Sequence, residues 1–143
     1  MSYNTILTIL SGGPEPLRGL NAAISKAISW DAHLEVICVA VDNALHSYSY
    51  AEISPVMLQT TLAEAQETAN ALAQEATAEL DRQGLVRYGG KSVVTQAGLL
   101  PGVIRRHARF SDLVVMPRPY GADAGPDAPT LVEAALFEAG VPV

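Results

Sequence analysis

Thr5-Ile6-Leu7-Thr8-Ile9-Leu10 is a short β-prone apolar run that stops abruptly at Ser11-Gly12-Gly13-Pro14, and glycine with proline punctuates strands. The stretch predicts a strand followed by a turn. From Pro16 the period changes, with Leu17, Leu20, Ile24, Ala27 and Ile28 on one helical stripe. A helix to about Trp30 follows, proline being tolerated in a first helical turn. Leu34, Val36, Ile37, Val39 and Val41 then make a nearly continuous β-branched run, the pattern of a strand covered on both faces in a parallel sheet. This strand-turn-helix-strand opening decides the fold class.

The alternation continues along the chain. Asn43 to Ile53 is polar, contains Tyr48 and Tyr50, and has no clear period, which predicts a loop whose rings either pack on the domain or line a cleft mouth. Ser54-Pro55 offers an N-cap with proline at the first helical position, and Leu58, Leu62, Ala65, Ala69, Leu72, Ala76 and Leu80 repeat at helical spacing. Gly84 and Gly89-Gly90 close that helix, and Lys91 to Gln96 reads as a third strand. Gly98 opens a helix through Leu100, Ile104 and Ala108, and Asp112 to Met116 is a compact strand ending at Pro117. Residues Pro117 to Pro129 should be irregular, Leu131, Val132, Ala135 and Leu136 suggest a fourth helix up to Gly140, and Val141 to Val143 read as the opening of a fifth strand. Such an order implies right-handed β-α-β units in a mostly parallel, doubly wound sheet with four helices.

With 143 residues, 49% hydrophobic and 17% charged, the chain suits one globular domain over 1–143. Its net charge of -6 repels phosphate backbones and anionic lipid, which argues against nucleic acid and membrane partners. The apolar run Leu34 to Val41 is far shorter than the roughly 20 residues of a spanning helix, and the start lacks a secretory pattern. A cytoplasmic location is the expectation. The last strand, three residues long, looks incomplete against the roughly five or six of a typical strand, so the expectation is either that the sequence is cut there or that another chain or a following domain completes that edge.

In open parallel sheets ligands bind beyond the carboxyl ends of the strands, where strand order reverses. If the order reverses beside strand one, Ser11-Gly12-Gly13 faces Pro117-Arg118, with helix-one amides and Arg118 available to an anion, although two glycines also serve simply to make a tight turn. Arg105, Arg106 and Arg109, with His107 among them, are either a local anion site or a solvated helix end. His33, His46 and His107 lack metal-ligand spacing, and the single Cys38 sits in an apolar strand pattern, so no metal is expected. Neither a Gly-x-Ser-x-Gly elbow nor a P-loop is present.

Over essentially the whole chain these pieces resemble the universal stress protein family. The resemblance is carried by Ile6 to Leu10, the first helix, Leu34 to Val41, the long second helix, Gly98, Ser111-Asp112-Leu113-Val114-Val115-Met116 and the closing Gly140-Val141-Pro142-Val143. It implies a Rossmann-like sheet of the adenine nucleotide alpha hydrolase type, five-stranded in the order 3-2-1-4-5. It also implies a homodimer, often formed through the last strand, or intramolecular pairing with a second similar domain as in tandem members. Many members bind ATP with an aspartate ending strand one, a valine late in strand two, and Gly-x-x-Gly with a later Gly-Ser/Thr after strand four. Here Ser11 stands in the aspartate's place, Pro117 in the first glycine's, Val39 fits the valine, and only Ala128-Pro129-Thr130 precedes helix four.

The candidate binding residues are therefore Ser11, Gly12, Gly13, Val39, Gly98, Met116, Pro117 and Arg118. The departures remove the close backbone approach and amide donors a triphosphate needs. The expectation is a non-enzymatic stress-response or signalling domain with weak or no binding of ATP or another adenine nucleotide, no cofactor, and room for some other small ligand. The alternative is an adenylate-forming or nucleotide-hydrolysing enzyme, because ATP pyrophosphatases of similar fold use Ser-Gly-Gly-x-Asp-Ser after strand one. Ser11-Gly12-Gly13-Pro14-Glu15-Pro16 matches its first three positions and fails at the last two.

Overall fold

The computed structural model describes residues 3–44 and 53–143. Strand β1 (Thr5–Ser11) leads through the glycine turn into α1 (Arg18–Trp30), then β2 (His33–Asp42), α2 (Pro55–Arg82), β3 (Tyr88–Gln96), α3 (Leu100–Ala108), β4 (Leu113–Val115) and α4 (Ala128–Glu138). The four strands are ordered β3-β2-β1-β4 and pair in parallel. Among the described residues no helix is long and apolar enough to cross a membrane.

Local chemistry explains the helices. Ser54 Oγ accepts the Met57 N–H at 3.2 Å, satisfying one amide that the first turn of α2 leaves unpaired, and Pro55 occupies a position where its missing N–H costs nothing. Ala65, Ala69, Leu72, Ala76 and Leu80 of α2 are buried at three- and four-residue spacing. Successive strand residues face opposite sides, so Ile6, Leu10, Leu34, Val36 and Cys38 pack under α1 and α2, whereas Leu7, Ile9, Ile37 and Val39 pack under α3 and α4. The sheet is thus covered on both faces, as its continuous apolar strands require. Burial of Cys38 pushes its thiol up to about 11, so at neutral pH it is a small apolar side chain.

Two features tie β4 to β1. Thr8 is fully buried, and its Oγ1 donates to the Val115 carbonyl at 2.9 Å. Asp112 Oδ2 accepts the N–H groups of Asn4 and Thr5, each at 2.9 Å, which anchors the start of the central strand.

Five expectations need correction. The described sheet has four strands, not five: Val141 to Val143 make no strand, although the Pro142 carbonyl accepts the Val114 N–H at 2.9 Å along the outer edge of β4. Pro142 has no N–H to return to the ladder. Strand β3 begins at Tyr88, not Lys91, so Gly89 and Gly90 lie inside it; a Cβ on Gly89 would strike the carboxylate of Glu35 on the neighbouring strand. Helix α1 starts at Arg18, two residues after Pro16, and α4 starts at Ala128. Gly98 lies in a 3-10 turn, Ala97–Leu99, ahead of α3. The loop expected to carry His46, Tyr48 and Tyr50 lies largely outside the described residues.

Candidate cleft at the carboxyl ends of the strands

The turn after β1 and the loop after β4 face each other, as strand order around β1 requires. Ser11, Gly12, Gly13, Met116, Pro117 and Arg118 come together there, joined by Arg18, Asp123, Gly125 and Leu131. Val39 pairs in register with Ser11 but is buried under the α3 and α4 side of the sheet and does not line the cleft. Gly98 is not among the lining residues either.

The cleft is largely closed by its own backbone. A Cβ built on Gly13 would lie 2.8 Å from the Gly125 Cα, and one built on Gly125 would strike the Gly12 carbonyl oxygen. Only glycine at 125 lets the two loops meet this closely. Pro117 adds a second closure, because its ring lies against Gly19 of α1, where an added Cβ would sit 2.7 Å from the Pro117 Cδ. A third is the ion pair between Arg18 and Asp123 at 3.7 Å, which spans the mouth. The space left open to a water-sized body is about 30 Å³, enough for one or two waters.

Three amides at the rim of this cleft are already paired. The Arg18 N–H donates to the Glu15 carbonyl at 3.2 Å, the Ala124 N–H to Gly121 at 3.2 Å and the Ala128 N–H to Gly125 at 3.1 Å. These amides close turns and are not turned toward a ligand. Leu17, at the N-cap of α1, provides no side-chain acceptor or donor there. Asp127, at the N-cap of α4, has its carboxyl raised above the usual range by burial. With Glu15 and Asp123 nearby, the cleft offers Arg118 as a cation without an ion-pair partner among the described residues. Sequence reasoning found Ser11 to Gly13 and Pro117-Arg118. It missed Gly125 and the Arg18–Asp123 pair, for which the only signal was the abundance of glycine and proline after β4.

At the opposite end of the sheet His107 of α3 is half-buried. Burial pushes its imidazole below the ordinary 6.5; nearby Lys91 and Arg106 push the same way, and Glu35 pulls back. The unfolded chain therefore binds this proton more readily than the folded one. The resulting stability is fully present above about pH 6.5 and is lost as pH falls through the depressed value. His107→Gln should remove that component, so urea midpoints at pH 7.5 and 5.5 should lie closer together in the variant than in the parent. Identical spacing would show that His107 titrates as in the unfolded chain. Among the described residues no group of three or more metal-ligating side chains assembles.

The fold matches that of universal stress proteins in solved structures. A universal stress protein solved in complex with cAMP superposes with a TM-score of 0.61 at 16% identity, covering 100% of this chain and 97% of that one. Universal stress protein UspA from Lactobacillus plantarum gives 0.68 at 14% identity, with 100% and 97% covered. A universal stress protein family member from Burkholderia pseudomallei gives 0.68 at 22% identity, with 99% and 93% covered. No protein-family model matches the sequence, and no curated protein matches it.

Proposed function

We propose that this chain, which has the universal stress protein fold, is a non-enzymatic stress-response or signalling domain that acts by pairing with a second copy or a similar domain, with weak or no nucleotide binding. The observation that carries the reading is the largely closed cleft, in which Gly125 rests on the Gly12-Gly13 turn and about 30 Å³ remains open. Ser11 supplies no carboxylate for a ribose or base, Pro117 fills the place of a flexible glycine, and the amides of Arg18, Ala124 and Ala128 are spent on turns. A triphosphate would have to force the loops apart, break the Arg18–Asp123 pair and meet Glu15 and Asp123.

Pairing is supported by the outer edge of β4. Beside the three-residue strand, Leu136 is 58% exposed and Val143 43%, and an edge held by only one described backbone bond, to Pro142, with apolar side chains left exposed beside it, invites another chain. A second domain of the same kind covers that edge in this reading.

Isothermal titration with ATP and with cAMP, the latter chosen because one structural neighbour was solved with it, tests the nucleotide part. The expected result is no saturable heat below about millimolar concentration, corresponding to less than about 4 kcal/mol of binding free energy. Stoichiometric binding in the micromolar range would overturn it.

A further inference from the structure

We propose that the foot of the sheet, on the α3 side and remote from the largely closed cleft, binds a small organic anion that carries a hydrogen-bond donor beside its anionic group. The site is an open cavity of about 370 Å³ lined by Thr5 of β1, Glu35 of β2, Lys91 of β3, and Arg106, His107 and Phe110 at the end of α3. It is independent of the reading given for the cleft.

Charge pairing singles the cavity out. Among the described residues Arg18 pairs with Asp123, Arg82 with Glu79, Arg87 with Asp31 and Arg105 with Glu138. Lys26 lies over Trp30 and Arg109 over Phe110. Lys91, Arg106 and Arg118 remain with neither a carboxylate at ion-pair distance nor a ring, in a chain where 15 acidic residues outnumber nine basic ones. Arg118 belongs to the largely closed cleft, while Lys91 and Arg106 line this one cavity. The shift of His107 has Lys91, Arg106 and Glu35 among its causes, so the four groups share one field.

Glu35 sets what the anion must carry. Its carboxylate is seated over Gly89, 25% exposed, and its Oε2 meets His33 Nε2 at 3.3 Å. Its other oxygen has no hydrogen bond among the described residues, and the side chain lines the same cavity as the two cations. A bare anion would meet this carboxylate unfavourably; an anion with an adjacent hydroxyl or amine would satisfy both signs. Phe110, 76% exposed, offers an apolar wall for the body of such a molecule.

The test is a series of ¹H–¹⁵N spectra of the full chain titrated with glycolate, glycerol 3-phosphate and acetate, with sodium chloride matching the ionic strength. Glycolate or glycerol 3-phosphate should shift the amides of Gly89, Lys91 and Arg106 saturably, and whichever binds tighter identifies the carboxylate or the phosphate class. Arg106→Gln and Lys91→Gln, both at exposed positions, should each weaken that binding by about tenfold. Shifts equal to those from chloride, shifts centred on Gly12 and Arg118, or affinity unchanged in both variants would overturn the proposal. Acetate binding as tightly as glycolate would overturn the role given to Glu35.

Discussion

Leu7→Ala should lower the unfolding free energy by about 2–5 kcal/mol, the usual range for a leucine removed from a packed interior. Leu7 is completely buried, on the strand that holds the sheet together: β1 is hydrogen-bonded to β2 on one side and to β4 on the other. Its side chain packs with Ile9, Ile37, Val114 and the undersides of α3 and α4, so these elements cannot all move inward to fill the gap. Domains of this size are stable by only about 5–15 kcal/mol, and the variant would lose a large share of that. A urea titration monitored by far-ultraviolet circular dichroism reads it directly. A loss under about 1 kcal/mol would be that of a half-exposed side chain and would contradict the central position of β1.

Gly125→Val should cost about 1–3 kcal/mol and open the cleft. The added Cβ meets the Gly12 carbonyl oxygen, a backbone atom that no side-chain rotation can clear, and overpacking of this kind is relieved only by backbone shifts. The relief available is separation of the two loops, which also strains the Arg18–Asp123 pair. Amide exchange at Gly12, Gly13 and Ala124 should accelerate while exchange in β2 stays slow. Gly102→Ala is the matched control: nothing lies within 4 Å of its added Cβ on α3, and alanine should favour the helix by about 0.5–1 kcal/mol. If both glycine variants behaved alike, the loop contact would not be what closes the cleft.

The readable stretches of the sequence were those governed by local chemistry or by period. Helix α2 announced itself through Ser54, Pro55 and the spacing from Ala65 to Leu80, and β2 through its β-branched run. The facing of Ser11-Gly12-Gly13 and Pro117-Arg118 followed from a strand order reversing beside strand one, the order that the family resemblance implies. What stayed hidden depends on the partner across space. Gly89 and Gly90 look like loop residues in sequence, yet they sit in β3 because Glu35 of the adjoining strand lies over Gly89. Gly125 looks like one more flexible loop position, and its meaning appears only when the Gly12-Gly13 turn is set against it. Val141 to Val143 have strand-like composition but meet β4 through one described backbone bond, from Val114 to Pro142. The cavity at the foot of the sheet draws on β1, β2, β3 and α3, and no sequence window contains all of them.

The central proposal is that this domain keeps the cleft between the β1 turn and the β4 loop closed and works through pairing. Native mass spectrometry of the purified chain tests it most directly, because one spectrum reports subunit count and any retained small molecule. The predicted spectrum is that of a dimer with no nucleotide-sized mass attached. A species carrying an adenine nucleotide would contradict the claim, since Gly125 would then have to leave the Gly12-Gly13 turn in the form the cell makes.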